Sequence, residues 1–159
     1  MIDSEYKKLT MLVLASIIVL TICSACSSDS EKLFDGYYMA EADSFDSHGW
    51  KEFISIYVNN NKIITVEYNA KNPTGFIKSW DMDYMRRMNA SDGNYPNKYT
   101  RTYARDLLIR QNPSEVVAVT GATDSWHSFR LLAKAALEKA QKGDKNIAFV
   151  DLSHPEASQ

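Results

Sequence analysis

The chain has only two cysteines, Cys23 and Cys26, and both stand near its beginning. A domain built from the remainder holds no thiol apart from these, which excludes a disulfide framework, a cysteine-ligated metal site and a cysteine nucleophile. Excess charge of one sign is also missing, since 18 Lys and Arg stand against 20 Asp and Glu for a net charge of -2. Without a basic field nothing draws a phosphate backbone, so nucleic acid is not an expected partner. The three histidines, His48, His127 and His154, show no metal-binding spacing, and Ser125 and His127 point to different sides of a helix start, so no metal site and no hydrolytic triad is expected. Long apolar runs are lacking too. The one run present, Met11 to Ile22, ends well short of the roughly 20 residues that a membrane-spanning helix needs. What is present, 45% hydrophobic and 24% charged residues in 159, is ordinary for about one globular domain.

Lys7 and Lys8 precede the apolar run, and together they read as the n-region and h-region of a secretory leader over residues 1–25. The segment that follows, Ser24-Ala25-Cys26, resembles a bacterial lipobox, in which small residues before a cysteine admit a peptidase that leaves that cysteine acylated. The resemblance implies lipid on Cys26, Cys23 departing with the leader, and a cell-membrane location on the extracytoplasmic side. Residues 26–33, with the polar stretch Ser27 to Lys32, read as a tether. Diacyl plus amide-linked chains on that cysteine would hold a protein at a bilayer where one chain alone does not.

Beyond the tether a domain is expected over 34–150, followed by a loose tail over 151–159. Gly36 to Ala42 reads as a strand. From Phe53 to Val58 and from Ile64 to Tyr68 the chain alternates with period two across the polar turn Asn59 to Lys62, which predicts a β-hairpin. Asn72-Pro73-Thr74-Gly75 breaks the pattern. Ser79 would cap a helix to about Asn89, and Tyr99 to Arg110 forms a second, with Tyr103, Leu107 and Ile109 toward the core. Val116 to Val119 reads as a short buried strand. Ser125 to Lys142 is the clearest helix, with Phe129, Leu132, Ala136 and Ala140 in one stripe and Gly143 at its C-terminal end. Ile147 to Val150 adds an edge strand. The expected fold class is α+β, a small antiparallel sheet with a central β-hairpin packed by two or three helices on one face.

Between the expected short strand and the last helix lies Thr120-Gly121-Ala122-Thr123-Asp124-Ser125. Gly121 and Ala122 leave the backbone approachable, hydroxyls surround them, and a helix start offers unpaired N–H groups with a partial positive charge. That combination suits a phosphate. The plainer reading is that Thr123, Asp124 or Ser125 simply caps the helix, and Asp124 would repel an anion.

Thr120 to Thr123 after an apolar segment, with Ser125 two positions on, resembles the flavinylation motif of FMN-binding domains. These occur in the C subunit of sodium-pumping NADH:quinone oxidoreductase, the G subunit of Rnf complexes and extracellular flavin lipoproteins. Gly36-Tyr37-Tyr38 with Glu41, the hairpin from Phe53 to Tyr68, Thr74-Gly75 and the helix from Ser125 to Lys142 extend the resemblance over most of the domain. It implies FMN as cofactor, moved by a flavin transferase onto the Thr123 hydroxyl, with Thr120, Gly121, Ala122, Ser125, Thr74, Gly75 and Trp126 around it. The family usually carries Asp three positions before the motif where this chain has Val117, so covalent and non-covalent FMN are both open. Trp50, Trp80, Tyr84 and Trp126 are candidates to wall the ring or simply to fill the core. Arg86 and Arg87 would offset the phosphate or form a solvated helix face. The implied function is an electron carrier anchored in the membrane, fed by a quinol or reductase and not a self-contained enzyme. The alternative is a flavin-free surface lipoprotein of the same fold that binds a quinone, a small molecule or a protein.

Overall fold

The computed structural model describes residues 32–153. The leader, Cys26, most of the tether and the tail from His154 lie outside these residues. Three antiparallel strands, β1 (Gly36–Ala42), β2 (Lys51–Asn59) and β3 (Lys62–Lys71), form a meander. The β2–β3 turn puts Asn60 and Asn61 at φ of 51° and 61°, the positive values that a tight hairpin of matching twist demands and that asparagine tolerates. Ile54, Ile56 and Val58 face the core as their alternation requires. A bulge in β3 then pairs Val58 with Ile63 and Tyr57 with Thr65. It turns Ile63 inward and leaves Ile64 51% exposed, against the inward place its alternation with Val66 implied.

A fourth strand, β4 (Ala148–Val150), joins β1 in parallel and completes the order β3-β2-β1-β4. Parallel pairing needs a long crossover, and the last helix supplies it. Three helices follow β3: α1 (Met82–Asp92), α2 (Pro96–Arg110) and α3 (Thr123–Lys142). The α+β class and the β2–β3 hairpin are as expected; β3 forms one edge of the sheet, and β4 at the other edge is the parallel exception.

Several boundaries differ from expectation for identifiable reasons. Asp81, not Ser79, caps α1, its carboxylate accepting from the Tyr84 N–H at 2.9 Å. Ser79 is buried in a 3-10 turn and accepts from the Asn69 side chain instead. Ile109 lies on the outer side of α2, 69% exposed, because Tyr99, Tyr103 and Leu107 take the inward positions. Residues 116–119 run extended without a ladder partner, so no strand forms there. Val116 is buried, and Val117 points outward while its N–H donates to Asp106 on α2 at 2.9 Å.

The core lies between the sheet and α2 with α3. From α3 it takes Phe129, Leu132, Ala133, Ala136 and Ala140, where small residues let the helix approach β1 and β2 closely. An aromatic cluster joins the layers: Phe129 stands 5.0 Å from Tyr68 and 5.5 Å from Tyr103, and Tyr99 stands 6.1 Å from Tyr103. Such pairs add to area burial. Across the sheet, on the face the helices leave open, Glu41 bridges Lys51 at 2.8 Å and Lys71 at 2.5 Å. Burial works to raise the Glu41 carboxyl, and the two ammonium groups outweigh it and hold it below the ordinary carboxylate range.

Phe129→Ala removes the ring at the centre of this cluster, and a cost of about 3–5 kcal/mol is expected. Urea unfolding measures it. A loss of under about 1 kcal/mol would show that the cluster does not hold the layers together.

Candidate functional site

The segment from Val119 to Ser125 bends sharply into α3, and side chains from three other elements fix it. The Tyr103 hydroxyl donates to the Ala122 carbonyl at 2.9 Å and accepts from the Val119 N–H at 3.2 Å. The fully buried Asn94 donates to the Thr120 carbonyl at 2.9 Å, and Tyr68 donates to the Ser125 carbonyl at 2.9 Å. Burial, reinforced by the Glu52 carboxyl, pushes the Tyr68 phenol well above its ordinary value, so it remains a donor. Three carbonyls of the bend are thereby satisfied from within the protein.

Gly121 has φ of 76°, and a Cβ there would run into the Asp92 carbonyl at the end of α1. The glycine is thus required by the close packing of the bend on α1, where an opening for an outside group was expected. Ala122 is the N-cap of α3 and offers no side-chain acceptor. Neither Thr123, Asp124 nor Ser125 caps the helix; all three lie within its first turn. The helix start therefore has no side-chain cap, while Asp124 in its first turn sets a carboxylate against the partial positive charge there.

Beside this start lies a cleft of about 910 Å³ lined by Gly121, Ala122, Thr123 and Ser125, within the range of ligand sites. Trp50, Tyr84 and Tyr99 contribute its aromatic wall, with Trp50 and Tyr84 edge to face at 6.0 Å. The resemblance to FMN-binding domains is consistent with these residues, since a cleft of this size joins aromatic rings to a helix start without a side-chain cap. The remaining residues that the resemblance implied do not gather here. Thr74 and Gly75 form an exposed turn, in which the Thr74 hydroxyl donates to Asn72 at 2.7 Å. Thr120 is exposed on the outer side of the bend. Trp126 leans away from the cleft, its indole N–H donating to the Val116 carbonyl at 2.7 Å and the Arg130 guanidinium stacked over it at 4.7 Å. Trp80 is 65% exposed and packs on Phe76, while Arg86 pairs with Asp83 on the solvated side of α1.

Among the charged residues of the cleft that lie outside the set the sequence suggested, Glu52 and Lys78 are the most deeply set. Glu52 shares the core-facing register of β2 with Ile54 and Ile56, and a charged residue at such a position was the available signal. Its Oε2 is shut from solvent and makes no hydrogen bond, and the Ser125 hydroxyl reaches the other carboxyl oxygen only at 3.5 Å. Burial raises the Glu52 carboxyl, and the Ser128 hydroxyl and the Lys78 ammonium pull it only part of the way back. Lys78 stands before Ser79-Trp80 with nothing in the sequence to mark it, yet it is 7% exposed. Asp46, Asp92 and Asp124 also line the cleft, giving it more carboxylates than cations.

These elements define a small α+β domain with a ligand-sized cleft at the start of its last helix. No family model matches the chain. Over 130 residues it is 39% identical to the 15 kDa lipoprotein of Treponema pallidum (strain Nichols), covering 82% of this chain and 91% of that one. The crystal structure of the CPE2226 protein from Clostridium perfringens is similar to it with a TM-score of 0.72 and 34% identity, over 75% of this chain and 98% of that one. The chain belongs to the family of the 15 kDa lipoprotein. Among the described residues no helix is long and apolar enough to cross a membrane.

Because the folded form of Glu52 holds its proton more tightly than the unfolded chain does, its contribution to stability falls as pH rises from the ordinary carboxylate range to the raised folded value. Glu52→Gln is expected to abolish that decline. Urea midpoints of both proteins from about pH 4 to about pH 8 test this, because groups such as Glu41 cancel in the difference. Parallel curves would contradict it.

Proposed function

We propose that the chain is a membrane-anchored lipoprotein that holds FMN and carries electrons on the extracytoplasmic face of the membrane. The observation that carries this reading is the motif's Gly121–Thr123 part, which leads into a helix without a side-chain cap on the border of an aromatic-walled cleft of about 910 Å³. The anchor would be lipid on Cys26, in keeping with the lipobox-like Ser24-Ala25-Cys26 and with the description of the Treponema pallidum relative as a lipoprotein.

In this reading Thr123 carries the phosphate and the first N–H groups of α3 face it. Trp50 and Tyr84 would border the ring. When bound, FMN supplies one- and two-electron chemistry, and the protein places and tunes it. A membrane quinol or reductase would deliver the electrons, and another flavodomain or an external acceptor would take them.

The carboxylates of the cleft bear on how FMN is held. A phosphate monoester carries about -1.5 to -2 at neutral pH, whereas a diester to Thr123 carries a single charge and meets less repulsion from Asp46, Asp92 and Asp124. Covalent attachment by a flavin transferase is therefore the form the cleft favours. Val117 favours a second reading, a flavin-free surface lipoprotein binding a quinone, a small molecule or a protein, because it stands where FMN-binding domains usually have Asp.

Intact mass of the full-length chain, produced with and without a flavin transferase in a host that processes lipoproteins, separates the readings. The expected product carries acyl chains in both hosts and gains an FMN mass, with flavin fluorescence in a denaturing gel, only with the transferase. Thr123→Val should lose that fluorescence without changing the circular dichroism. Unflavinylated protein from the transferase host that also fails to retain added FMN on gel filtration would overturn the reading.

A further inference from the structure

Lys78 is the least exposed ammonium bordering the cleft. It projects from the 3-10 turn Lys78–Trp80 that follows β3, and at 7% exposure it is more deeply set than a lysine ordinarily is. Its Nζ lies 4.9 Å from the ring centre of Tyr84 and 5.8 Å from that of Trp50. Among the described residues no hydrogen bond or ion pair is formed by this Nζ; the two ring faces are its close partners. Burial disfavours its charge, but the phenols of Tyr99 and Tyr84 and the carboxyls of Glu52 and Asp46 outweigh that and keep it protonated.

A desolvated cation of this kind interacts more strongly with a neighbouring charge than the same group does in water. The rings that cradle it are also the rings that wall the cleft. Lys78 lines the cleft together with these rings, so a ligand in the cleft would have the ammonium on its border, and an ammonium head with donors to spare favours carbonyl oxygens and anionic rings.

We propose that Lys78 is the binding residue for the ring of the cleft's ligand, donating to a ring carbonyl and stabilising the negative charge that the ring acquires on reduction. This rests on the flavin reading and adds the residue that sets the ring's affinity and potential. The reaction balances as two electrons from the quinol or reductase and one proton from solvent converting the neutral oxidised ring to a reduced monoanion. Lys78 itself gains and loses no proton. Its ammonium lowers the free energy of the anion relative to the neutral ring, so the reduced flavin binds more tightly than the oxidised one by the same factor that raises the potential.

The test uses the full-length chain loaded with FMN, through the transferase or by addition, and measures the midpoint potential of the bound flavin by mediated titration. In Lys78→Met the ratio of reduced to oxidised affinity is expected to drop by about tenfold or more, which is a fall of about 30 mV for a two-electron couple. Lys78→Arg should keep most of the wild-type value, and Lys78→Gln, the milder change should Lys78→Met fail to fold, should fall with Lys78→Met. Lys134→Met, on the exposed side of α3, should leave the potential unchanged. Riboflavin, which lacks the phosphate, should also quench less on titration into Lys78→Met, since the ring contact does not depend on the anchor. A Lys78→Met or Lys78→Gln protein that holds flavin at the wild-type potential and affinity overturns the role of Lys78 while leaving the flavin reading intact. A wild-type chain that neither carries FMN nor binds riboflavin overturns both.

Discussion

The site depends on how the bend from Val119 to Ser125 disposes of its carbonyl groups. A backbone that turns sharply into a helix has both carbonyls and N–H groups to satisfy, and which set is left over decides the sign of charge it attracts. Here Asn94, Tyr103 and Tyr68 take the carbonyls of Thr120, Ala122 and Ser125. No side chain caps the helix, and its start borders the cleft. Each of the three bonds contributes roughly 0.5–1.5 kcal/mol net. Losing a donor to a buried carbonyl that has no other partner would cost more than that.

The donors of these bonds come from different layers. Tyr68 belongs to the sheet, Tyr103 to α2 and Asn94 to the link between α1 and α2, and the tyrosine rings are packed against Phe129 of α3. The hydrophobic core and the polar fastening of the site therefore share the same residues. Gly121 adds the contact with the end of α1 that only a residue without a side chain permits. The same packed parts bound the cleft, and a pre-formed site saves the ordering cost that a loose one incurs on binding.

The parts of the molecule governed by local periodicity were legible in the sequence. Alternation in β2, the two-asparagine turn and the Phe129, Leu132, Ala136, Ala140 stripe each have one packing solution, and the structure adopts it. Where a tertiary partner decides, local pattern failed. A bulge displaced Ile64, Asn69 drew Ser79 away from capping, and Val116 to Val119 found a tyrosine hydroxyl and an aspartate in place of a ladder. At the site, Thr123 and Ser125 border the cleft beside Trp50 and Tyr84, whereas Trp126, close in sequence, turns its indole to Val116 because helical geometry carries it round to the other side. Glu52 carried a readable sign, a charge in an inward register. Lys78 carried none, because nothing local distinguishes a lysine caged by distant aromatic rings from one in solvent.

In the proposed function the donors at the start of α3 hold an anionic end of FMN while its ring lies in the adjoining cleft. Backbone amide chemical shifts compared between flavin-free and FMN-loaded protein test it most directly. The account predicts the largest changes at Gly121, Thr123, Asp124 and Ser125, with further changes at Trp50, Lys78 and Tyr84. Changes confined to the open face of the sheet around Tyr37 and Tyr57, with the start of α3 unmoved, would contradict it.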